Sequence, residues 1–134
     1  MANKTRILIV EDQTSVAMMM VYLLAHAGCE TEVATTGAEA VQLAKEGNAD
    51  LITLDIDLPE TSGFEICRHL KKLPRCFDTP IIFVTGRPYD EDRQRAFDLG
   101  AVDYIAKPFD AQNFASRILS YVKPGEISNC FNQT

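Results

Sequence analysis

Five short β-type runs alternate strictly with helix-type stretches, and this alternation limits the chain to very few folds. Arg6-Ile-Leu-Ile-Val10 reads as a strand with no polar face, so it is buried on both sides. Thr14 to Ala27 reads as a helix closed near Gly28. Glu30 to Ala34 alternates polar and apolar residues and reads as an edge strand. Thr36-Gly-Ala-Glu39 is a capping box that opens a helix to about Glu46. Asp50 to Leu54 is a third strand, and Phe64 to Leu73 a third helix stopped by Pro74. Pro80 to Val84 is a fourth strand, Asp90 to Leu99 a fourth helix, and Val102 to Ala106 a fifth strand. Asp110 caps a last helix to Val122, ended by Pro124-Gly125, with Phe109 and Phe114 at the staple positions on either side of the cap.

Five β-α units predict an α/β, doubly wound, five-stranded parallel sheet with right-handed crossovers. The expected strand order is the flavodoxin-like 2-1-3-4-5. A (β/α)8 barrel would need eight such units. The length of 134 residues suits one domain, expected over 1–124, with a short polar tail at 125–134 and no second domain. The longest apolar run, Val16 to Ala25, is well short of the ~20 residues of a membrane span. The polar start leads directly into the first strand, so the expectation is a chain without a secretory signal in a cytoplasmic setting. Cys29, Cys67, Cys76 and Cys130 lack metal-ligand spacing and read as reduced thiols. Nineteen acidic against thirteen basic residues give a net charge of −6, which argues against direct nucleic-acid binding.

Ligands of such sheets bind beyond the carboxyl ends of the strands, where the strand order reverses. The first strand ends in Glu11-Asp12, and the third in Asp55, with Asp57 two residues on. The fourth ends in Thr85, and the fifth runs into Lys107-Pro108. Singly, each residue has an ordinary explanation as a cap, a loop hydroxyl or a surface charge. Together, the acids would repel one another unless a cation lay between them. Hard oxygen ligands with room for water suit Mg2+. Thr85 and Lys107 supply a donor and a cation for an anion, and a phosphoryl group fits.

The chain resembles the receiver domain of two-component response regulators, similar to the stand-alone chemotaxis regulator. The likeness runs from about Arg6 to Val122. It rests on Ile-Val-Glu11-Asp12, Leu-Asp55-Ile-Asp57-Leu-Pro59-Glu-Thr-Ser-Gly63, Val-Thr85-Gly86 and Gly100-Ala-Val-Asp-Tyr104-Ile-Ala-Lys107-Pro108-Phe109. The resemblance implies that Asp55 takes a phosphoryl group from a phosphohistidine on a sensor histidine kinase or phosphotransfer protein. It implies Mg2+ held by Asp12 and Asp55 directly, by the backbone carbonyl of Asp57, and by Glu11 through water. Thr85 would bond the phosphoryl oxygens, Lys107 would pair with them, and Tyr104 would move between outward and inward positions with Thr85. The Lys107-Pro108 bond would be cis. The output would be a two-state change on the fourth helix, fifth strand and fifth helix, read by a downstream protein partner or output domain.

Arg93, Asp103 and Arg117 would lie on that surface. They match charged positions through which some DNA-binding regulators dimerise, although Asn113 stands where those usually carry an acid. A phosphorylation-dependent homodimer is thus an expectation of the resemblance. Three features depart from the common pattern. Asp57 adds a fourth carboxylate near the site, Gly86 leaves the site open on one side, and Arg87 brings a large cation to its mouth. Opposite charges on Asp57 and Arg87 would border the path of the hydrolytic water and tune the phosphoryl lifetime.

Three other readings fit less well. Asp55-Ile-Asp57 resembles the nucleophile motif of haloacid-dehalogenase-type phosphatases, but here it ends the third strand and the acidic pair lies upstream. A flavodoxin would need a Ser/Thr/Gly-rich phosphate loop where Glu11-Asp12-Gln13 stands. A pseudo-receiver would lack phosphorylation residues, and all are present here. The expected role is therefore a signalling phosphoacceptor rather than an enzyme, with self-phosphorylation from small donors and autodephosphorylation.

Overall fold

The computed structural model describes residues 4–122. Its elements in chain order are β1 (Arg6–Val10), α1 (Thr14–His26), β2 (Glu30–Ala34), α2 (Gly37–Glu46), β3 (Leu51–Leu54), α3 (Gly63–Lys71), β4 (Ile81–Thr85), α4 (Asp90–Asp98), β5 (Asp103–Ala106) and α5 (Ala111–Leu119). All strand pairs are parallel, in the order β2-β1-β3-β4-β5. The half-polar β2 lies at one edge, and the apolar β1, β3 and β4 occupy the middle. The tail at 125–134, Cys130 and the Pro124-Gly125 helix stop lie outside the described residues. Among the described residues, no helix is long and apolar enough to cross a membrane.

The strands alternate their side chains between two cores, because successive Cβ atoms point to opposite faces. Leu8, Val10, Ile52, Leu54, Ile81 and Phe83 pack with Ala40, Ala44, Phe64, Leu70 and Ala96 of α2, α3 and α4. Ile7, Ile9, Leu51, Ile82, Val84 and Ile105 pack with Met20 and Leu24 of α1 and Phe114 and Ile118 of α5. Cys29, Cys67 and Cys76 are buried free thiols. Burial raises the Cys67 thiol to about 11, so it behaves as an apolar side chain.

Local capping sets the helix boundaries. Thr36 accepts from the Glu39 N–H while Glu39 reaches back to the Thr35 N–H. The reciprocal bond thus falls one residue before the cap, at Thr35. Asp110 caps α5, and the Phe109 and Phe114 rings stack with centroids 4.3 Å apart. Several boundaries differ from expectation. α3 starts at Gly63, because Ser62 accepts from the Glu65 N–H. It ends at Lys71, before Pro74, as Lys72 and Leu73 bond to carbonyls three residues back. α5 ends at Leu119, where Tyr121 and Val122 make the same tighter bonds. β4 begins one residue late, since Pro80 has no N–H, though its carbonyl still accepts from Ile52.

The loop from β3 to α3 folds back on the strand it leaves. Asp57 and Ser62 form an isolated bridge, and Gly63 donates its N–H to the Ile56 carbonyl at 2.7 Å. A Cβ on Gly63 would lie 2.0 Å from the Asp55 carbonyl oxygen, so no larger residue fits without displacing Asp55. Gly63→Ala is expected to cost about 3 kcal/mol. Urea denaturation of the two proteins measures this; equal midpoints would disprove the constraint.

Candidate phosphoryl and metal site

Strand register builds the site. Val10 is level with Leu54, and Leu54 with Phe83, so the residues that follow leave the sheet side by side. The Asp55 N–H donates to the Val10 carbonyl, which fixes Asp55 beside Glu11. Thr85 closes β4 level with Ala106, and the Lys107 N–H donates to the Thr85 carbonyl at 2.8 Å. The Lys107-Pro108 bond is cis.

Carboxylate oxygens of Glu11, Asp12 and Asp55 lie within 4.8 Å of one another. Glu11 and Asp55 are only 1% and 5% exposed, whereas Asp12 faces solvent. Lys107 lies between the two buried acids, its Nζ 2.7 Å from Glu11 Oε1 and 3.1 Å from Asp55 Oδ2. Burial pushes the Glu11 carboxyl above its usual range, against the lowering effect of Lys107. Burial also opposes the Lys107 charge, but the bond to Glu11 and the charge of Asp55 outweigh it and raise its pKa. Three clustered oxygen donors fit a hard divalent cation, because like charges this close need more positive charge than one ammonium supplies. Thr85 is fully buried, and its Oγ1 faces the Arg87 N–H at 3.4 Å. A Cβ on Gly86 would meet open space, so the rim stays open there.

Arg87 and Asp57 pair across the mouth. Arg87 Nε lies 3.2 and 3.1 Å from the two Asp57 oxygens, and Nη2 lies 2.9 Å from Oδ1. Arg87 Nη1 also lies 3.6 Å from Asp92 Oδ2 in the first turn of α4. The Tyr104 ring is buried, and its hydroxyl donates to the Arg87 carbonyl at 2.7 Å. Asp92 is the residue that sequence reasoning missed. Its signal was the acidic run Asp90-Glu-Asp92, which reads first as helix-dipole compensation. Asp103 and Arg117 do not present two free charges for a partner. Arg117 forks onto Asp103 at 2.7 and 2.8 Å, and Asp103 is buried. Arg93 lies over the Tyr104 and Phe97 rings, and Asn113 donates to Asp110.

Residues 7–119 match the family described as response regulator receiver domain. The chain belongs to that family. This receiver domain is 32% identical over 123 residues to the alkaline phosphatase synthesis transcriptional regulatory protein PhoP of Bacillus subtilis, covering 92% of this chain and 50% of PhoP. It is 35% identical over 115 residues to the transcriptional regulatory protein CreB of Escherichia coli, covering 86% of this chain and 49% of CreB. The receiver domain spans about half the length of the curated relatives it matches. Among solved structures, the chemotaxis protein CheY4 of Vibrio cholerae superposes with a TM-score of 0.84 at 29% identity, covering 90% of this chain and 100% of that one.

Removing Lys107 exposes the electrostatics of the rim. Glu11 would keep its burial and its neighbour Asp55 but lose its cation, so its pKa would rise further. A carboxyl raised above its unfolded value of 4.5 costs stability as pH climbs from that value through the folded pKa. Lys107→Met should therefore be little destabilised near pH 4.5 and lose about 2–3 kcal/mol by pH 8, with chelator present. Urea melts at the two pH values measure it; a pH-independent loss would contradict the assignment.

Proposed function

We propose that this receiver domain is a phosphoacceptor switch with Asp55 as the acceptor. The observation that carries the reading is the Asp55 carboxylate, 5% exposed at the strand ends, with Lys107 3.1 Å from one oxygen and two further acids alongside. Asp55 attacks phosphorus in line with the leaving imidazole nitrogen of a phosphohistidine. The O–P bond forms as the P–N bond breaks, and the nitrogen leaves with the bonding pair. Lys107 moves its charge from Glu11 and Asp55 onto a phosphoryl oxygen, and the Thr85 hydroxyl donates to another. Asp12 and Asp55, the Asp57 carbonyl and Glu11 through water would hold Mg2+, which when bound neutralises charge on the phosphoryl oxygens.

The donor is a sensor histidine kinase or a phosphotransfer protein. The output is a change at Thr85, Tyr104 and the α4-β5-α5 surface, read by a downstream protein or an output domain. The names of the curated relatives, which are transcriptional regulators about twice this length, support an output domain as that reader. A homodimer through α4-β5-α5 would require Arg117 to leave Asp103 or to bridge from it to the partner copy. The chain acts in signalling, and self-phosphorylation from small donors and loss of its own phosphoryl group accompany that role.

With acetyl phosphate and Mg2+, intact mass should rise by one phosphoryl group. Asp55→Asn and EDTA should each abolish the gain, while Thr85→Ala should still label. Labelling that survives in Asp55→Asn would refute the reading.

The lifetime of the phosphoryl group would depend on the Arg87–Asp57 fork, which crowds the side from which water attacks. Arg87→Ala and Asp57→Asn should each speed decay of phosphorylated protein severalfold, and the double variant should add little. Additive effects on the log rate would show that the two residues act separately.

A further inference from the structure

Arg87 joins three segments that are far apart in the chain. Its guanidinium forks onto Asp57 in the β3–α3 loop and reaches Asp92 in the first turn of α4. Its backbone carbonyl accepts the Tyr104 hydroxyl from β5, and its N–H faces Thr85 Oγ1. Asp92 supplies an independent sign that this arrangement is specific. Among the described residues its Oδ2 is buried without a hydrogen-bond partner, and the Arg87 guanidinium is the cation beside it. A buried carboxylate oxygen with neither bond nor cation is costly, so Asp92 favours the position of Arg87 that it faces. A side chain held at both ends of its fork restricts the backbone that carries it. That backbone carbonyl is the acceptor that the inward Tyr104 needs. The ring itself lies between Phe83, 6.5 Å away by centroid, and the Arg93 guanidinium, at 5.5 Å.

We propose that Arg87 is a clasp: by binding Asp57 and Asp92 at once, it holds the β4–α4 segment where its carbonyl captures Tyr104, and so keeps Tyr104 buried before any phosphoryl group arrives. The unphosphorylated chain is then already biased toward the inward state. The device is electrostatic, so its hold weakens with salt, whereas the apolar packing of the ring does not. A phosphoryl group on Asp55 would place a second anion within reach of the same guanidinium. That last consequence rests on the phosphoacceptor reading; the clasp itself does not.

The test uses unphosphorylated protein labelled with 3-fluorotyrosine. The Tyr104 fluorine resonance is assigned by its loss in Tyr104→Phe, and its exposure is read from the H2O/D2O isotope shift and broadening by a soluble paramagnet. Arg87→Ala should move Tyr104 outward, raising the outward-to-inward ratio by about threefold to tenfold, the range expected for an exposed bidentate pair joined to a second ion pair. Asp57→Asn and Asp92→Asn should each give part of that shift, and neither should add to Arg87→Ala. Salt at 1 M should move wild-type Tyr104 outward and leave Arg87→Ala unchanged. An unaltered Tyr104 resonance in Arg87→Ala, with the variant folded by circular dichroism, overturns the clasp. So does an equal salt response in both proteins. Because no phosphoryl donor is present, failure here leaves the acetyl phosphate experiment untouched, and failure of that experiment leaves this one standing.

Discussion

Three carboxylates of like charge converge on one rim, and the sheet beneath leaves them no room to part. Glu11 and Asp55 leave adjacent parallel strands whose apolar interiors are packed on both faces. Their backbones are locked by register, so repulsion cannot be relieved by moving apart. Lys107 supplies the local countercharge, reaching both buried acids from the far edge of the sheet. A site built this way is short of positive charge by design of its geometry. That shortage suits the cluster of Glu11, Asp12 and Asp55 to a hard divalent cation.

The second charge layer is looser. Arg87, Asp57 and Asp92 sit at the mouth, where solvent screens them and their contribution to folding is small. Their importance lies in position. Arg87 carries the carbonyl that binds Tyr104, and it follows Thr85 by two residues. The same short segment therefore carries the Thr85 hydroxyl, the fork onto Asp57 and the carbonyl that binds the Tyr104 hydroxyl. On that face Asp103 is satisfied within its own chain by Arg117 and by the Tyr104 N–H. Burial alone would raise the Asp103 carboxyl, but Arg117 and the backbone bond together lower it. That pair keeps its contribution at neutral pH and loses it as acid approaches the lowered pKa.

Much of the architecture was legible because its signals are local. Period-two and period-3.6 patterns, Thr36 with Glu39, and Asp110 between Phe109 and Phe114 act within a few residues. The boundaries of α3, β4 and α5 shifted by one to three residues because caps and missing N–H groups compete there. Asp92 was not legible. An acid in the first turn of a helix has an ordinary explanation, and only packing shows that one of its oxygens is buried with Arg87 beside it.

By itself, then, the sequence determined the five β-α units, their parallel order and the identity of the rim residues. Those follow from short-range pattern and from chain-connection rules that leave few topologies. The tertiary structure decided which charges meet. Lys107 lies 52 residues from Asp55 and Arg87 lies 30 from Asp57, so no periodicity links them. The opposing pairs were free to face solvent until strand register and the fold-back at Gly63 brought them within reach. Whether a surface charge points to water or to a partner differs by little energy in the unfolded chain. It is settled only when packing fixes the distance between them.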